Sequence, residues 1–388
     1  MSKFKILLVM GHHAWGNTMG IPKVFFDLKR EYERIGHHVD TLSYYDLYPK
    51  GQNKLARIFG PTFPELILKY LKKNAYKYDV IDANFECVPY PKKAFNYDGL
   101  LLFRSHGLPQ VYEIYENRPP YKTINDRLIK NIKIKTRFGN LYRFLDRKVG
   151  LKELNASIEY ADIVHVLNSH EYDFLSSEGV PKEKLVLLPN GLQDTYIEKA
   201  SSQELNNKKN NISFLASWTI RKGITELNQI LNEINSQLPI DEFHLLGGDQ
   251  PEKVVLKEFE ANNYSKLKIT PKFEQDELIS LLSPSKVGIF PSYVEGFGLA
   301  VVEQLACGIP VVAYNVPGPA DILGPLDSSL LIESGDTKSL CKKVVEILNM
   351  TDEAYEKLAR RCKERAQFYS MTKVAESFLN VYKKHLKN

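Results

Sequence analysis

The chain has 388 residues, 43% of them hydrophobic, with a formal net charge of +5 and four cysteines, Cys87, Cys307, Cys341 and Cys362. That length and apolar content suit two ordinary domains, each with its own core. The cysteines form no CxxC pair, which excludes a disulfide scaffold and zinc-ligand spacing and points to a reducing compartment. The first residues, MSKFKILLVMGHH, hold an apolar run far too short for a bilayer and no small-residue cleavage site, and no other run approaches transmembrane length. The cytoplasm is the expected location.

Phe4–Met10 reads as a short apolar strand, followed by a loop rich in glycine and histidine from Gly11 to Gly20. Pro22 suits a helix start, Val24, Phe25, Leu28, Tyr32 and Ile35 supply its apolar face, and Gly36 its C-cap. Strands are expected at His38–Leu42, Val80–Ala83, Leu100–Phe103 and Ile163–Leu167, with helical patterns between them. Such alternation predicts a parallel sheet covered on both faces, with ligands beyond the C-terminal strand ends. The loops after Met10 and Phe103 are therefore the informative ones.

A break comes near Asn190. The polar stretch Glu198 to Asn211, EKASSQELNNKKNN, reads as a linker or a long surface loop. Strands are then expected at Ile212–Ala216, Phe243–Leu246, Leu267–Thr270, Val287–Phe290 and Pro310–Tyr314. Helices are expected at Ile224–Ile234, Gln275–Leu282, Leu299–Cys307 and Lys338–Leu348, with further helical segments from Ala354 to about Leu386. The economical architecture is α/β, with two doubly wound Rossmann-like domains and a cleft between them.

Residues 291–313, PSYVEGFGLAVVEQLACGIPVVA, carry the most chemistry. One apolar run ends, a glycine-rich turn follows, a helix starts, and a second apolar run begins. Gly296, Phe297 and Gly298 at a helix start leave backbone N–H groups free to receive an anion. Glu295 sits in the turn, and Glu303 follows eight residues later, about two helical turns on. Two carboxylates flanking an anion nest suit a ligand with hydroxyls at both ends and phosphates in the middle, such as a nucleotide-diphosphate sugar. The plainer alternative is a buried βα turn with one capping glutamate.

With these residues in view, the chain resembles the retaining glycosyltransferases of the GT-B fold, family 4 (group 1 glycosyl transferases). The likeness runs through GNTMGIPKVFFDLKREYERIGHHV (16–39), RSHG (104–107), LLPNG (187–191), WTIRKGI (218–224), FHLLGGD (243–249) and PSYVEGFGLAVVEQLACGIPVV (291–312). It is weakest from about Gly51 to Gly99 and from Pro119 to Leu154, where acceptor binding is expected. The resemblance implies an N-terminal acceptor-binding domain over 1–190, a linker over 191–211 and a nucleotide-sugar-binding domain over 212–370. It also implies a C-terminal helix over 371–388 that packs back on the first domain.

The resemblance also implies roles. Glu303 would hold the ribose hydroxyls, and Glu295 hydroxyls of the transferred sugar, through charge-assisted hydrogen bonds. Gly296, Phe297, Gly298 and Leu299 would offer backbone N–H groups to the sugar and diphosphate. Lys222 would neutralise the leaving diphosphate, whose charge grows at the transition state. Gly16 would let its loop approach the diphosphate without a Cβ clash. His106, in the loop after a strand, would lie near the scissile bond; the plainer reading of His106 is a structural or exposed histidine. His12 and His13 follow the first strand and are lesser candidates by position alone, because the family requires no histidine there.

The chain departs from the family at Ser217, where an arginine usually stands, and at Met371, where an aromatic is common. Arg221 either replaces that arginine in donor binding or is a solvated surface residue. No metal and no other cofactor is expected, because Asp-x-Asp is absent and Lys222 with the helix N-terminus can meet the diphosphate. The co-substrate would be a nucleotide-diphosphate sugar, with a UDP-sugar favoured and GDP-mannose as the other donor. The acceptor would be a glycan or a lipid-linked molecule of cell-surface polysaccharide synthesis. A nucleotide-sugar epimerase of the same fold and an inactive GT-B binding partner remain as alternatives.

The charge is uneven. Residues 118–152 hold eleven Lys or Arg against two Asp, a net +9, so the rest of the chain carries −4. Ile134, Phe138, Leu141, Leu145 and Val149 recur there at helical spacing. A basic amphipathic helix can dock on an anionic membrane surface, here the inner face of the membrane, or be a solvated face over an ordinary core. Nucleic acid is not an expected partner, because no nucleic-acid motif accompanies the charge.

Overall fold

A computed structural model describes residues 3–11, 20–48, 61–124, 150–205 and 209–386. They fall into two compact units. The described part of the first unit runs to Pro109, resumes over 150–191 and ends with 371–386; that of the second comprises 110–124 and 192–370.

The first unit holds a six-stranded parallel sheet in the order β2-β1-β3-β4-β5-β6. Its strands are β1 (Lys5–Val9), β2 (His38–Leu42), β3 (Val80–Asn84), β4 (Leu100–Arg104), β5 (Ile163–Val166) and β6 (Leu185–Leu187). β3, β4 and β5 are buried along their whole length, as expected where helices cover both faces. The short β6 is an addition to the expected strands. The first helix, Ile21–Ile35, begins with Pro22 in its first turn. It ends at Gly36, whose φ of 102° lets its N–H return to the carbonyls of Glu33 and Tyr32.

A second helix, Met371–Leu386, shares that core. Phe25, Leu28 and Tyr32 of the first helix pack with Val374, Phe378, Leu379 and Tyr382 of the last over strand residues Ile6, Leu8, Leu100 and Leu102. Beneath them lies a buried polar network. Arg104 donates from Nε to Asp82 Oδ1 at 2.8 Å and forms a second bond to Asp82 Oδ2. Tyr382 donates to Asp82 Oδ2 at 2.7 Å, and the Tyr32 and Tyr382 hydroxyls lie 3.0 Å apart. The Arg104 guanidinium sits 4.1 Å from the centre of the Phe378 ring, so the buried cation is paired, hydrogen-bonded and stacked. Met371 packs against Gly191, where an added Cβ would lie 2.9 Å from the Met371 sulfur.

The second unit repeats the plan with order β12-β11-β10-β7-β8-β9, again all parallel. Its strands are β7 (Asn211–Leu215), β8 (Phe243–Leu246), β9 (Leu267–Thr270), β10 (Ser285–Phe290), β11 (Val311–Tyr314) and β12 (Leu331–Ile332). The polar stretch expected to be a linker is partly structured. Residues 194–201 form a helix that buries Tyr196, Ile197 and Ala200, and Asn211 opens β7. The helix expected from Ile224 starts as a 3-10 turn, Ile224–Glu226, and becomes α-helical over Leu227–Gln237. The helical run from Ala354 is two helices, Asp352–Ala366 and Met371–Leu386, which belong to different units. Residues 110–124, expected in the first domain, group with the second unit. Tyr112 lies under the Arg221 guanidinium at 5.1 Å, and the Tyr121 ring lies 5.4 Å from that of Tyr293.

Candidate functional site

In the second unit, β10 ends at Phe290 and the buried residues Pro291 to Val294 lead to Glu295. Gly298 follows in the left-handed region, φ 96° and ψ 48°, as N-cap of the helix Leu299–Ala306. No side chain caps this helix; Val301 N–H already donates to the Gly298 carbonyl at 2.8 Å, and the amides of Leu299 and Ala300 keep their capacity for a ligand's acceptors. Gly296 N–H donates to Glu295 Oε1 at 3.3 Å, which turns that amide back onto the carboxylate. Phe297 is buried edge-on against Tyr369, with ring centres 5.6 Å apart. Gly318 makes room for the turn, since a Cβ there would lie 2.3 Å from the Phe297 carbonyl oxygen.

A second loop meets this one. After β7, Ser217 is exposed and Trp218 packs edge-on against Phe214, with ring centres 6.2 Å apart. A 3-10 turn over Ile220–Lys222 ends at Gly223, φ 75°. Tyr293 N–H donates to the Arg221 carbonyl at 2.9 Å. The Tyr293 hydroxyl donates to Glu226 Oε1 at 2.8 Å. Lys222 forms an ion pair with Glu295 and lies 5.0 Å over the Phe290 ring. The expected diphosphate cation and the expected sugar-binding carboxylate are thus held together. Arg221 and Lys222 part company: Lys222 turns to Glu295, while Arg221 lies over Tyr112 and is half-buried, not solvated.

Glu303 lies within the helix Leu299–Ala306 and is 9% exposed. The Tyr196 hydroxyl donates to the Glu303 carbonyl at 3.3 Å, so the helix Asp194–Ser201 braces the helix that bears it.

His106 belongs to the first unit, in the turn after β4. Its ring lies 5.2 Å from that of Phe25. Gly107 beside it has φ 114°, a conformation that glycine alone adopts without strain. Gly16, His12 and His13 lie outside the described residues, as do 125–149 of the basic segment. Of the rest of that segment, Arg118 lies 4.1 Å over the Tyr115 ring. Among the described residues no helix is long and apolar enough to cross a membrane, and no three His, Cys, Asp or Glu side chains are grouped to hold a metal ion.

Two side chains at the site were not legible beforehand. Burial raises the Glu226 carboxyl above the ordinary glutamate range, and the Tyr293 hydroxyl bond offsets part of that. A carboxylate within the helix-start pattern Lys-Gly-Ile-Thr-Glu carries no sequence signal of burial; only its contact with Tyr293, 67 residues away, reveals it.

Residues 196–367 match the family model described as glycosyl transferases group 1. The capsular polysaccharide biosynthesis glycosyltransferase CapM of Staphylococcus aureus is 27% identical over 180 residues, which is 45% of this chain and 45% of CapM. Among solved structures, sucrose-phosphate synthase from Thermosynechococcus elongatus superposes with a TM-score of 0.73 at 19% identity, covering 99% of this chain and 100% of that one. Anabaena HepE in complex with UDP and glucose superposes with a TM-score of 0.63 at 15% identity, covering 98% and 100%. The chain therefore shares the GT-B fold of these solved structures. It spans less than half the length of the curated relatives it matches, from 39% to 46% of the leading three.

Proposed function

We propose that the chain is a retaining glycosyltransferase that moves a sugar from a nucleotide-diphosphate sugar, with UDP favoured as the nucleotide, to a glycan or lipid-linked acceptor of cell-surface polysaccharide synthesis. One observation carries the reading: Lys222 is paired with Glu295 beside the uncapped start of the helix Leu299–Ala306. A cation, amide donors and a carboxylate then converge where a diphosphate and a sugar could lie side by side. Glu303, further along the same helix, would accept hydrogen bonds from the ribose hydroxyls.

In this mechanism the bond from the anomeric carbon to the diphosphate breaks, and the acceptor hydroxyl attacks the same face. The departing phosphate oxygen takes the acceptor proton. Lys222 and the helix start stabilise the growing negative charge, which makes the reaction independent of a divalent metal. The names of the relatives support this choice: CapM is a glycosyltransferase of capsular polysaccharide biosynthesis, and HepE was crystallised with UDP and glucose.

Thermal shift with UDP, GDP and ADP tests the donor class, and proton NMR of fresh product tests the stereochemistry. Selective stabilisation by UDP and a retained anomeric configuration are the expected outcomes. An inverted product would overturn the mechanism. Turnover should be unchanged by EDTA; loss of activity restored by Mn²⁺ would refute metal independence.

A further inference from the structure

The turn that carries His106 is held at both ends by one side chain. Glu171, 1% exposed, lies in the helix Ser169–Ser177 that follows β5. Its Oε2 accepts the Ser105 hydroxyl at 3.0 Å and the Leu167 N–H at 3.1 Å, and its Oε1 accepts the Leu108 N–H at 2.8 Å. Ser105 and Leu108 bracket His106 and Gly107. The Ser105 hydroxyl, having given its proton to Glu171, accepts the Gly107 N–H at 3.1 Å. Ser105 N–H donates to the His165 carbonyl on β5 at 3.1 Å.

This is more than a helix cap. Asn168 caps the helix by accepting the Glu171 N–H at 2.9 Å. A glutamate three residues after an N-cap would ordinarily reach back to the N-cap amide. Glu171 instead sends its carboxylate across to a turn more than sixty residues away in sequence. A buried carboxylate with three donors aimed at it fixes their positions, because each alternative turn conformation strands a donor away from water.

We propose that Glu171 is the positioning residue for His106: it sets the turn from Ser105 to Leu108 and thereby the place of the imidazole. The proposal rests on the reading of His106 as an active-site group, and its functional consequence falls with that reading, while the geometric part stands alone. Glutamine is nearly isosteric with glutamate but puts an NH₂ where one of the three donors needs an acceptor, so Glu171→Gln disturbs the turn without opening a cavity.

The test uses the full chain labelled with ¹³C at the histidine Cε1 positions. The His106 resonance is assigned by its loss in His106→Gln. In Glu171→Gln that resonance should shift and its titration midpoint should move, while the resonance of His37 stays in place. Where Glu171→Gln does not fold, Ser105→Ala removes one anchor of the turn and is read in the same way. An unchanged His106 resonance in a folded variant overturns the proposal. Steady-state kinetics with UDP-glucose, UDP-N-acetylglucosamine and GDP-mannose separates the two ideas. With whichever donor the wild type consumes, kcat in Glu171→Gln should fall about 10- to 100-fold, as for a catalytic group displaced by about 1 Å, with KM for the donor within about twofold. Normal turnover in His106→Gln would remove His106 from the active site. Reduced turnover in His106→Gln with normal turnover in Glu171→Gln would refute the positioning role itself.

Discussion

Lys222 and Glu295 hold one another across 73 residues of sequence, with 11% and 15% of their side chains exposed. The pair joins the 3-10 turn after β7 to the loop after β10; the Tyr293 amide bonds the same turn at Arg221, and the Tyr293 hydroxyl bonds Glu226 in the turn that follows. Each charge is largely withdrawn from water, so each depends on the other. Lys222→Ala and Glu295→Ala should each lower stability, and the double variant should lose less than the sum of the two, with a coupling of at least ~1 kcal/mol by urea unfolding. Strict additivity would mean that the pair has no energetic content. In turnover, Lys222→Ala should lower kcat by ~10²–10³, the scale for losing one preorganised electrostatic donor.

Glu303 tests the nucleotide half of the site. Removing a carboxylate that accepts ribose hydroxyls should weaken UDP binding by at least ~1.5 kcal/mol, the lower end for a hydrogen bond to a charged group. Calorimetric titration of folded Glu303→Ala against wild type measures it. An unchanged dissociation constant assigns Glu303 to packing alone.

Glu226 gives the second unit a pH dependence. Burial raises its carboxyl, so the folded chain binds this proton more tightly than the unfolded chain does. The stabilisation is fully present below the ordinary glutamate value of ~4.3 and is lost as pH rises through the higher folded value. Glu226→Gln keeps an acceptor for the Tyr293 hydroxyl and removes the titration. Its melting temperature should vary less between that ordinary value and neutrality, and at pH 7 it should be no lower than wild type. Parallel curves for the two proteins would show that Glu226 titrates normally.

Gly223 is where two loops fit without side-chain volume. Its φ of 75° is left-handed, and an added Cβ would stand 2.3 Å from the Pro291 carbonyl oxygen. Gly223→Ala therefore combines a left-handed cost of ~1–2 kcal/mol with a backbone clash. The expected result is a lower melting temperature together with weaker UDP binding, because the displaced turn carries Lys222. A wild-type melting temperature would mean that the two loops separate freely.

Much of the fold was legible in the chain. His38–Leu42, Phe243–Leu246, Leu267–Thr270 and Gln275–Leu282 appear with the bounds expected from their apolar patterns and turn residues. The misses have physical causes. β6 is three residues long, with only Leu185 buried, so it offers no alternation. The helix Asp194–Ser201 buries Tyr196, Ile197 and Ala200, but it runs into a polar stretch that hides its end. At the site, the turn and helix of 295–303 were plain because glycine spacing and carboxylates are local signals. The pairing of Lys222 with Glu295 and the reach of Glu171 to Ser105 and Leu108 were not, because both are made by tertiary folding between distant segments. Asn168-x-x-Glu171 looks like an ordinary helix cap until its carboxylate is seen elsewhere.

The helix Met371–Leu386 has a consequence for the order in which the chain matures. Tyr382 meets Asp82 across 300 residues, and Phe378 closes over Arg104. A ribosome delivers this helix after every strand of both sheets, so the sheet made first waits longest for its cover. The described residues of the second unit end at Ser370, so its own strands and helices are all made before then. Synthesis and completion therefore run in opposite directions: the later-made unit can finish first, and a chain stopped near residue 370 leaves the apolar surface around Phe25 and Tyr32 open to chaperones and proteases.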